Sequence, residues 1–301
     1  MNHQLDDLTK GLTQPVTRRQ AVKTFGLGLT GLALARFGLN EAQAITNGQL
    51  DGNGHPNVGG FVWLKSFWPP ATAPLVTGSG ILIHPRVVVT AGHGTDFVQS
   101  AIAGGLMNLN DLLVSFASDA ADPSTWRTIS AILTHPGYAP NATSSEDIGV
   151  TILTNKATNI SPVALPPPGF LDTLAAAGLL KAKSDRTRFT VVGYGIDPDG
   201  ANYGHLPFPP DGLRRVAQPE FRNLHDRWLY TDENDSHDNG GSSTGDSGGP
   251  LFWVNPDTGQ ETLVAIVSRG SLTSRENYRV DTPVALNFLN NVIARVEAGE
   301  L

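Results

Sequence analysis

The chain has 301 residues, 40% of them hydrophobic and 16% charged, enough apolar matter to fill a substantial globular core. A formal net charge of −7 argues against an electrostatic nucleic-acid binder, and no apolar run approaches the roughly 20 residues of a permanent membrane anchor. With no cysteine, thiolate metal sites and disulfide frameworks are excluded, while 33 glycines and 21 prolines favour turn-rich β structure.

In chain order, residues 1–44 read as an export address. Thr17-Arg18-Arg19-Gln20-Ala21-Val22-Lys23 precede an apolar stretch over 25–39, and Ala42-Gln43-Ala44 then offers a small-x-small cleavage site. Arg36 and four glycines inside that stretch argue against a core helix. The paired arginines resemble the twin-arginine export motif, with Ala21 and Val22 in place of its usual Phe-Leu. Such systems move folded proteins, so a chain that folds in a reducing cytosol gains nothing from disulfides. The expected partners of the precursor are the twin-arginine export machinery and signal peptidase. The expected destination is periplasmic or secreted, and residues 45–301 are the mature domain.

Past residue 44, short runs rich in Val, Ile, Phe and Thr alternate with Gly, Pro, Asn and Asp clusters. The pattern predicts strands over 58–64, 80–83, 87–90, 112–116, 128–134, 149–153, 189–193, 228–231, 251–254 and 262–268. Many short strands suit barrels or a sandwich rather than a parallel α/β sheet. Residues 196–211 are expected to form a long surface loop. The acidic run over 232–239 has the oxygens a hard cation takes, but its spacing matches no EF-hand, so a solvated loop is expected and no metal is assigned. A helix is predicted over 282–297, with Pro283 near its start and Leu286, Leu289, Ile293 and Val296 at helical spacing.

Three segments carry chemistry: Val87-Val88-Val89-Thr90-Ala91-Gly92-His93, Glu146-Asp147-Ile148-Gly149-Val150 and Gly245-Asp246-Ser247-Gly248-Gly249-Pro250. Singly, a His at a strand end or an Asp before an apolar strand is an ordinary structural residue. Together, and in this order, they resemble the His, Asp and Ser motifs of the trypsin/chymotrypsin-like serine proteases, in a bacterial form. His135-Pro136-Gly137-Tyr138, Val192-Gly193-Tyr194-Gly195 and Val267-Ser268-Arg269-Gly270 extend the likeness across the mature chain.

The resemblance implies an all-β fold of two six-stranded antiparallel barrels with a C-terminal α-helix. It also implies an endopeptidase that needs no cofactor and acts on polypeptide. Ser247 would be the nucleophile, His93 its base, and Asp147 the group that orients the base, supported by Ser268. The N–H groups of Gly245 and Ser247 would form the oxyanion hole. Cleavage after Ala44 would free the amine of Ile45 to pair with Asp246 and order that hole. The pocket falls to Gly241, Ser242, Thr244 and Gly270, with no carboxylate for Arg or Lys, so an apolar or aromatic preference is the default. Arg279 is either a cation at the pocket base or a surface residue. Gly78 and Gly94 stand where relatives often carry a bridge, and their smallness is expected to keep that corner close-packed. Two alternatives stay open: a non-catalytic binding protein that kept the fold, and an esterase, since Gly-Asp-Ser-Gly-Gly also fits Gly-x-Ser-x-Gly.

Overall fold

A computed structural model describes residues 48–65, 74–140, 145–183, 185–195, 211–233, 240–271 and 274–301. The export address, Ile45, the loop over 196–210 and most of the acidic loop lie outside the described residues. Among the described residues no helix is long and apolar enough to cross a membrane.

The first half is a closed barrel of six antiparallel strands: β2 (Val58–Trp63), β3 (Leu75–His84), β4 (Val87–Thr90), β5 (Leu112–Ser115), β6 (Arg127–Thr134) and β7 (Gly149–Leu153). They run around the barrel in the order β2-β3-β4-β7-β6-β5. Strand β4 is buried along its whole length, as a Val-Val-Val-Thr run must be when both faces meet apolar neighbours. It pairs with β3 on one side and β7 on the other. This pairing sets the ends of β4 and β7 side by side, Thr90 opposite Gly149.

The second half is an eight-stranded antiparallel sheet ordered β1-β9-β8-β12-β13-β14-β11-β10. Its members are β1 (Gln49–Leu50), β8 (Phe189–Gly193), β9 (Arg215–Ala217), β10 (Glu220–Leu224), β11 (Trp228–Asp232), β12 (Pro250–Val254), β13 (Glu261–Ser271) and β14 (Ser274–Arg279). Strands β9 and β10 lie end to end along one side of β8. Phe189 N–H donates to Pro219 O at 2.9 Å and Phe221 N–H to Thr187 O at 2.7 Å, so the sheet closes on itself. The expected pair of barrels is present, with β1 added at the edge of the second. Every predicted strand exists, β3 and β13 run several residues longer than the sequence suggested, and β1, β9, β10 and β14 were not predicted.

Among the described residues three α-helices complete the fold: α1 (Gly92–Ala103), α2 (Phe170–Ala176) and α3 (Pro283–Glu297). Helix α3 matches its prediction because its signals are local. Thr282 Oγ1 accepts from Ala285 N–H at 3.2 Å, Pro283 occupies the first turn, and Leu286, Leu289, Val292 and Val296 are buried. Each such side chain removed from water contributes roughly 1.5–3 kcal/mol.

A buried polar clamp joins the barrels. Arg214, fully buried, donates from Nε to Asp51 Oδ2 at 2.7 Å and from Nη2 to Gly52 O at 2.7 Å. Its Nη1 reaches Phe116 O at 2.9 Å, Val58 O at 3.2 Å and the Tyr194 hydroxyl at 3.1 Å. The other Asp51 oxygen lies 2.5 Å from Nδ1 of His55, whose Nε2 is 3.1 Å from Glu261 Oε2. Burial works to lower the pKa of His55, but the two carboxylates outweigh it and push the imidazole up to about 9.

A histidine held above its unfolded value of about 6.5 binds a proton more tightly when folded. Its contribution is complete below that value and is lost as pH rises through 9. The contribution of His55 to the unfolding free energy should fall by up to about 3 kcal/mol, less whatever solvent screening removes, on going from pH 6 to well above 9. His55→Gln should flatten that part of the curve, as chemical denaturation across pH would show; an unchanged slope would remove His55 from the account.

Candidate functional site

Helix α1 begins where β4 ends, and its cap residue, Ala91, offers no side-chain acceptor for the first-turn N–H groups. Asp147, two residues before β7, supplies one. Its Oδ1 accepts the His93 backbone N–H at 2.7 Å, and its Oδ2 lies 2.9 Å from His93 Nδ1. The same Oδ2 accepts the hydroxyl of Ser268 from β13 of the second barrel. Gly92 allows the approach, since a Cβ there would lie 2.8 Å from Ile148 N and 3.1 Å from Asp147 Oδ1.

The electrostatics follow from that geometry. Burial works to raise the pKa of Asp147, yet the charge and hydrogen bonds of His93, with the Ser268 hydroxyl, hold it below the usual carboxylate range. For His93 burial works downward, and the Asp147 charge and hydrogen bond overcome it, leaving the imidazole above its ordinary value. Arg269 pulls slightly the other way.

Ser247 sits in a loop laced to β3 and β13. Gly78 N–H donates to Gly245 O and Ser79 N–H to Ser247 O, both at 2.9 Å. On the far side, Gly248 N–H donates to Val267 O and Val267 N–H to Gly249 O, both at 2.8 Å. Val267 is the residue before Ser268, so one strand of the second barrel holds both the Ser247 loop and the hydroxyl on Asp147. Gly248 packs its Cα against the end of β4: a Cβ there would lie 2.1 Å from Thr90 Oγ1 and 2.6 Å from Ala91 N, two residues before His93. The structure thus brings together His93, Asp147 and Ser268 by direct bonds, and Ser247 by the contact of its neighbour with the start of α1. Ser247 Oγ and His93 Nε2 have no hydrogen-bond partner among the described residues.

Two backbone donors are also unengaged. Gly245, with φ of +96°, and Ser247 present N–H groups that no described residue accepts, while the intervening Asp246 N–H turns back to Ser243 O at 3.1 Å. Only glycine takes such a φ without strain. Asp246, wholly buried, accepts from Gly195 N–H at 2.7 Å and Ser243 N–H at 2.8 Å. Burial raises its carboxyl to about 6, and no side-chain cation is bonded to it among the described residues.

A family model described as Trypsin matches residues 64–292. This chain belongs to the trypsin family. Among solved structures the domain is similar to human heparin binding protein, with 17% identity and a TM-score of 0.54, covering 83% of this chain and 97% of that one. At that identity the likeness speaks for the fold. Within the trypsin-family domain, the sequence-predicted pocket residues lie in the segment 241–244 and near the end of β13. Gly241 and Ser242 are buried and Thr244 is exposed, but the space beside Gly241 and Gly270 is taken by Glu233 and Arg275, which the sequence reading missed. The β13–β14 register that faces Arg275 to Gly270 was the missing information.

Arg279 is neither at that pocket nor on the surface. It is buried against Asp281 and Asp172, and burial is outweighed by those carboxylates. The expected close packing of Gly78 and Gly94 holds for one of them: Gly78 lies 3.4 Å, at its Cβ position, from Phe61, whereas Gly94 faces open space. Asp232 and Glu233, at the start of the acidic run, pair with Arg186 and Arg275. The rest of that run lies outside the described residues, and among the described residues no group of three His, Asp or Glu is set to hold a metal.

The crowding at Gly248 gives a direct check. Gly248→Ala combines a φ of +83° with backbone atoms closer than 3 Å, and should cost about 3 kcal/mol in urea unfolding. Gly259→Ala, with a similar φ of +71° and nothing within 4 Å, should cost only about 1 kcal/mol. Equal costs would show that the β4 contact does not constrain the loop.

Proposed function

We propose that the mature chain is an exported serine endopeptidase that cleaves peptide bonds through an acyl-enzyme. The observation that carries this reading is Asp147 holding His93 by both its backbone and ring N–H, beside a loop whose Gly245 and Ser247 N–H groups have no acceptor among the described residues.

In this reading His93 Nε2 takes the proton of Ser247 Oγ as the oxygen attacks the scissile carbonyl. The lengthening carbonyl C–O becomes an oxyanion that receives the Gly245 and Ser247 N–H groups, each worth on the order of 3 kcal/mol in the transition state. The imidazolium then passes its proton to the departing amine, and water, deprotonated by the same imidazole, releases the acid product. Asp147 stays ionised throughout and fixes which ring nitrogen carries hydrogen, with Ser268 holding the carboxylate in place.

Activation fits the same reading. Export and removal of residues 1–44 would leave Ile45 with a free ammonium. The natural counter-charge is Asp246, a buried carboxylate whose described partners are two neutral N–H groups. Pairing there would tie down the loop that carries both oxyanion donors, and the uncleaved precursor would lack that tie. A second reading, a trypsin-family binding protein without catalysis, draws only on the likeness to heparin binding protein. A net charge of −7 disfavours a polyanion partner.

Ser247→Ala should lower peptide hydrolysis about a millionfold while leaving the unfolding transition unchanged. Equal rates in variant and wild type would end the assignment. For the active form, kcat/KM should fall about tenfold per pH unit on the acid side of a pKa that lies above 6.5, because His93 must be neutral to accept the proton. N-terminal sequencing of the exported protein should begin at Ile45, and any other start would defeat the activation step.

A further inference from the structure

The pocket that the family likeness assigns to this chain is not an open apolar slot. A Cβ on Gly241 would lie 2.3 Å from Cγ and Cδ of Glu233, and one on Gly270 would lie 2.7 Å from Cδ of Arg275. Both wall glycines are therefore backed by members of one buried ion pair. Glu233 is 2% exposed; its Oε1 accepts from Thr231 Oγ1 and Ser242 Oγ, both at 3.2 Å, and its Oε2 accepts from Arg275 Nε at 3.1 Å. Arg275 also donates from Nε and Nη2 to the carbonyl of Ser242, at 3.1 and 2.8 Å, inside the wall segment itself.

A guanidinium has five N–H donors in a planar fork. Here Nε and Nη2 serve the protein, while Nη1 has no partner among the described residues. The Arg275 side chain keeps 15% of its surface exposed, so it is not sealed inside the protein. A fixed cation with a free N–H edge beside the pocket wall suits a planar acceptor that can take two parallel bonds. An apolar guest would strip water from those donors and return nothing.

We propose that Arg275 is the specificity-determining residue of this site, selecting a substrate with a carboxylate side chain, Asp or Glu, immediately before the scissile bond. The inference rests on the endopeptidase reading above. Glu233 and the Ser242 carbonyl act as positioning groups that hold the guanidinium in one orientation. Burial pushes the carboxyl of Glu233 up to about 7, so at neutral pH it offsets the arginine only in part.

The test is a peptide series that differs only at that residue, carrying Glu, Asp, Gln, Leu or Phe, cleaved by the processed protein. Glu or Asp should exceed Leu and Phe by tenfold or more in kcat/KM, and Arg275→Ala should abolish that ranking. A preference for Leu or Phe, or an Arg275→Ala ranking equal to wild type, would overturn the proposal. Should the lone Glu233 prevent Arg275→Ala from folding, the double variant Arg275→Met with Glu233→Gln removes both charges and serves the same comparison. Calorimetry of the same peptides with Ser247→Ala separates this proposal from the catalytic reading. Tighter binding of the Glu peptide than the Leu peptide supports Arg275 as the selector even if wild type cleaves none of them, whereas equal or reversed binding counts against it.

Discussion

One buried carboxylate organises the centre of this molecule. Asp147 takes two N–H groups from His93 at the start of α1 and one hydroxyl from Ser268 on β13, so its two oxygens link the barrels. A carboxylate in that position, 5% exposed, is tolerated only because it is fully hydrogen-bonded. The N-terminus of α1 adds a favourable partial charge to the same end. The bonds that stabilise the ionised Asp147 also fix the ring of His93, so the fold and the proposed chemistry use the same contacts.

Buried polar groups fasten other parts of the molecule in the same way. Without cysteine, the chain fastens its segments by buried arginines: Arg214 on Asp51 and three backbone carbonyls, and Arg279 on Asp281 and Asp172. Buried pairs of this kind add little net stability over apolar packing, but removing one partner is costly, so they define register. The Arg214 clamp holds residues 51 and 52 and β1 beside β9, which anchors the chain a few residues after Ile45. In the proposed activation, a terminus freed at Ile45 would start only a few residues before this anchor. Asp246, in the loop before Ser247, is the buried acid such a terminus would serve.

Sequence made much of this legible, for identifiable reasons. The strands were readable because runs such as Val87-Val88-Val89-Thr90 have one low-energy use, and α3 because its cap, proline and apolar stripe are all local. Helix α1 escaped notice because it starts Gly-His-Gly, and its cap comes from Asp147, 54 residues away. His93 and Asp147 bond directly, and Gly248 packs against the end of β4, because β4, β7 and the β3-bound loop are fixed by backbone pairing. The pocket was not legible. Arg275 faces Gly270 through a β13–β14 register with an irregularity between Val267 and Arg269, whereas counting along the chain offered only Arg279 as a candidate cation, beside the alternative of a surface residue. Glu233 is a surface-type residue by composition and is buried only because Arg275 and Ser242 meet it.

The central claim is that Ser247 is a nucleophile made reactive by His93 and Asp147. The most direct measurement is mass spectrometry of the processed protein after exposure to an organophosphonate ester that reacts with activated serines. The account predicts one adduct per chain, located on Ser247 and absent from His93→Ala treated alike. No adduct on the folded, processed protein, or labelling of Ser247 at the same rate without His93, would contradict it.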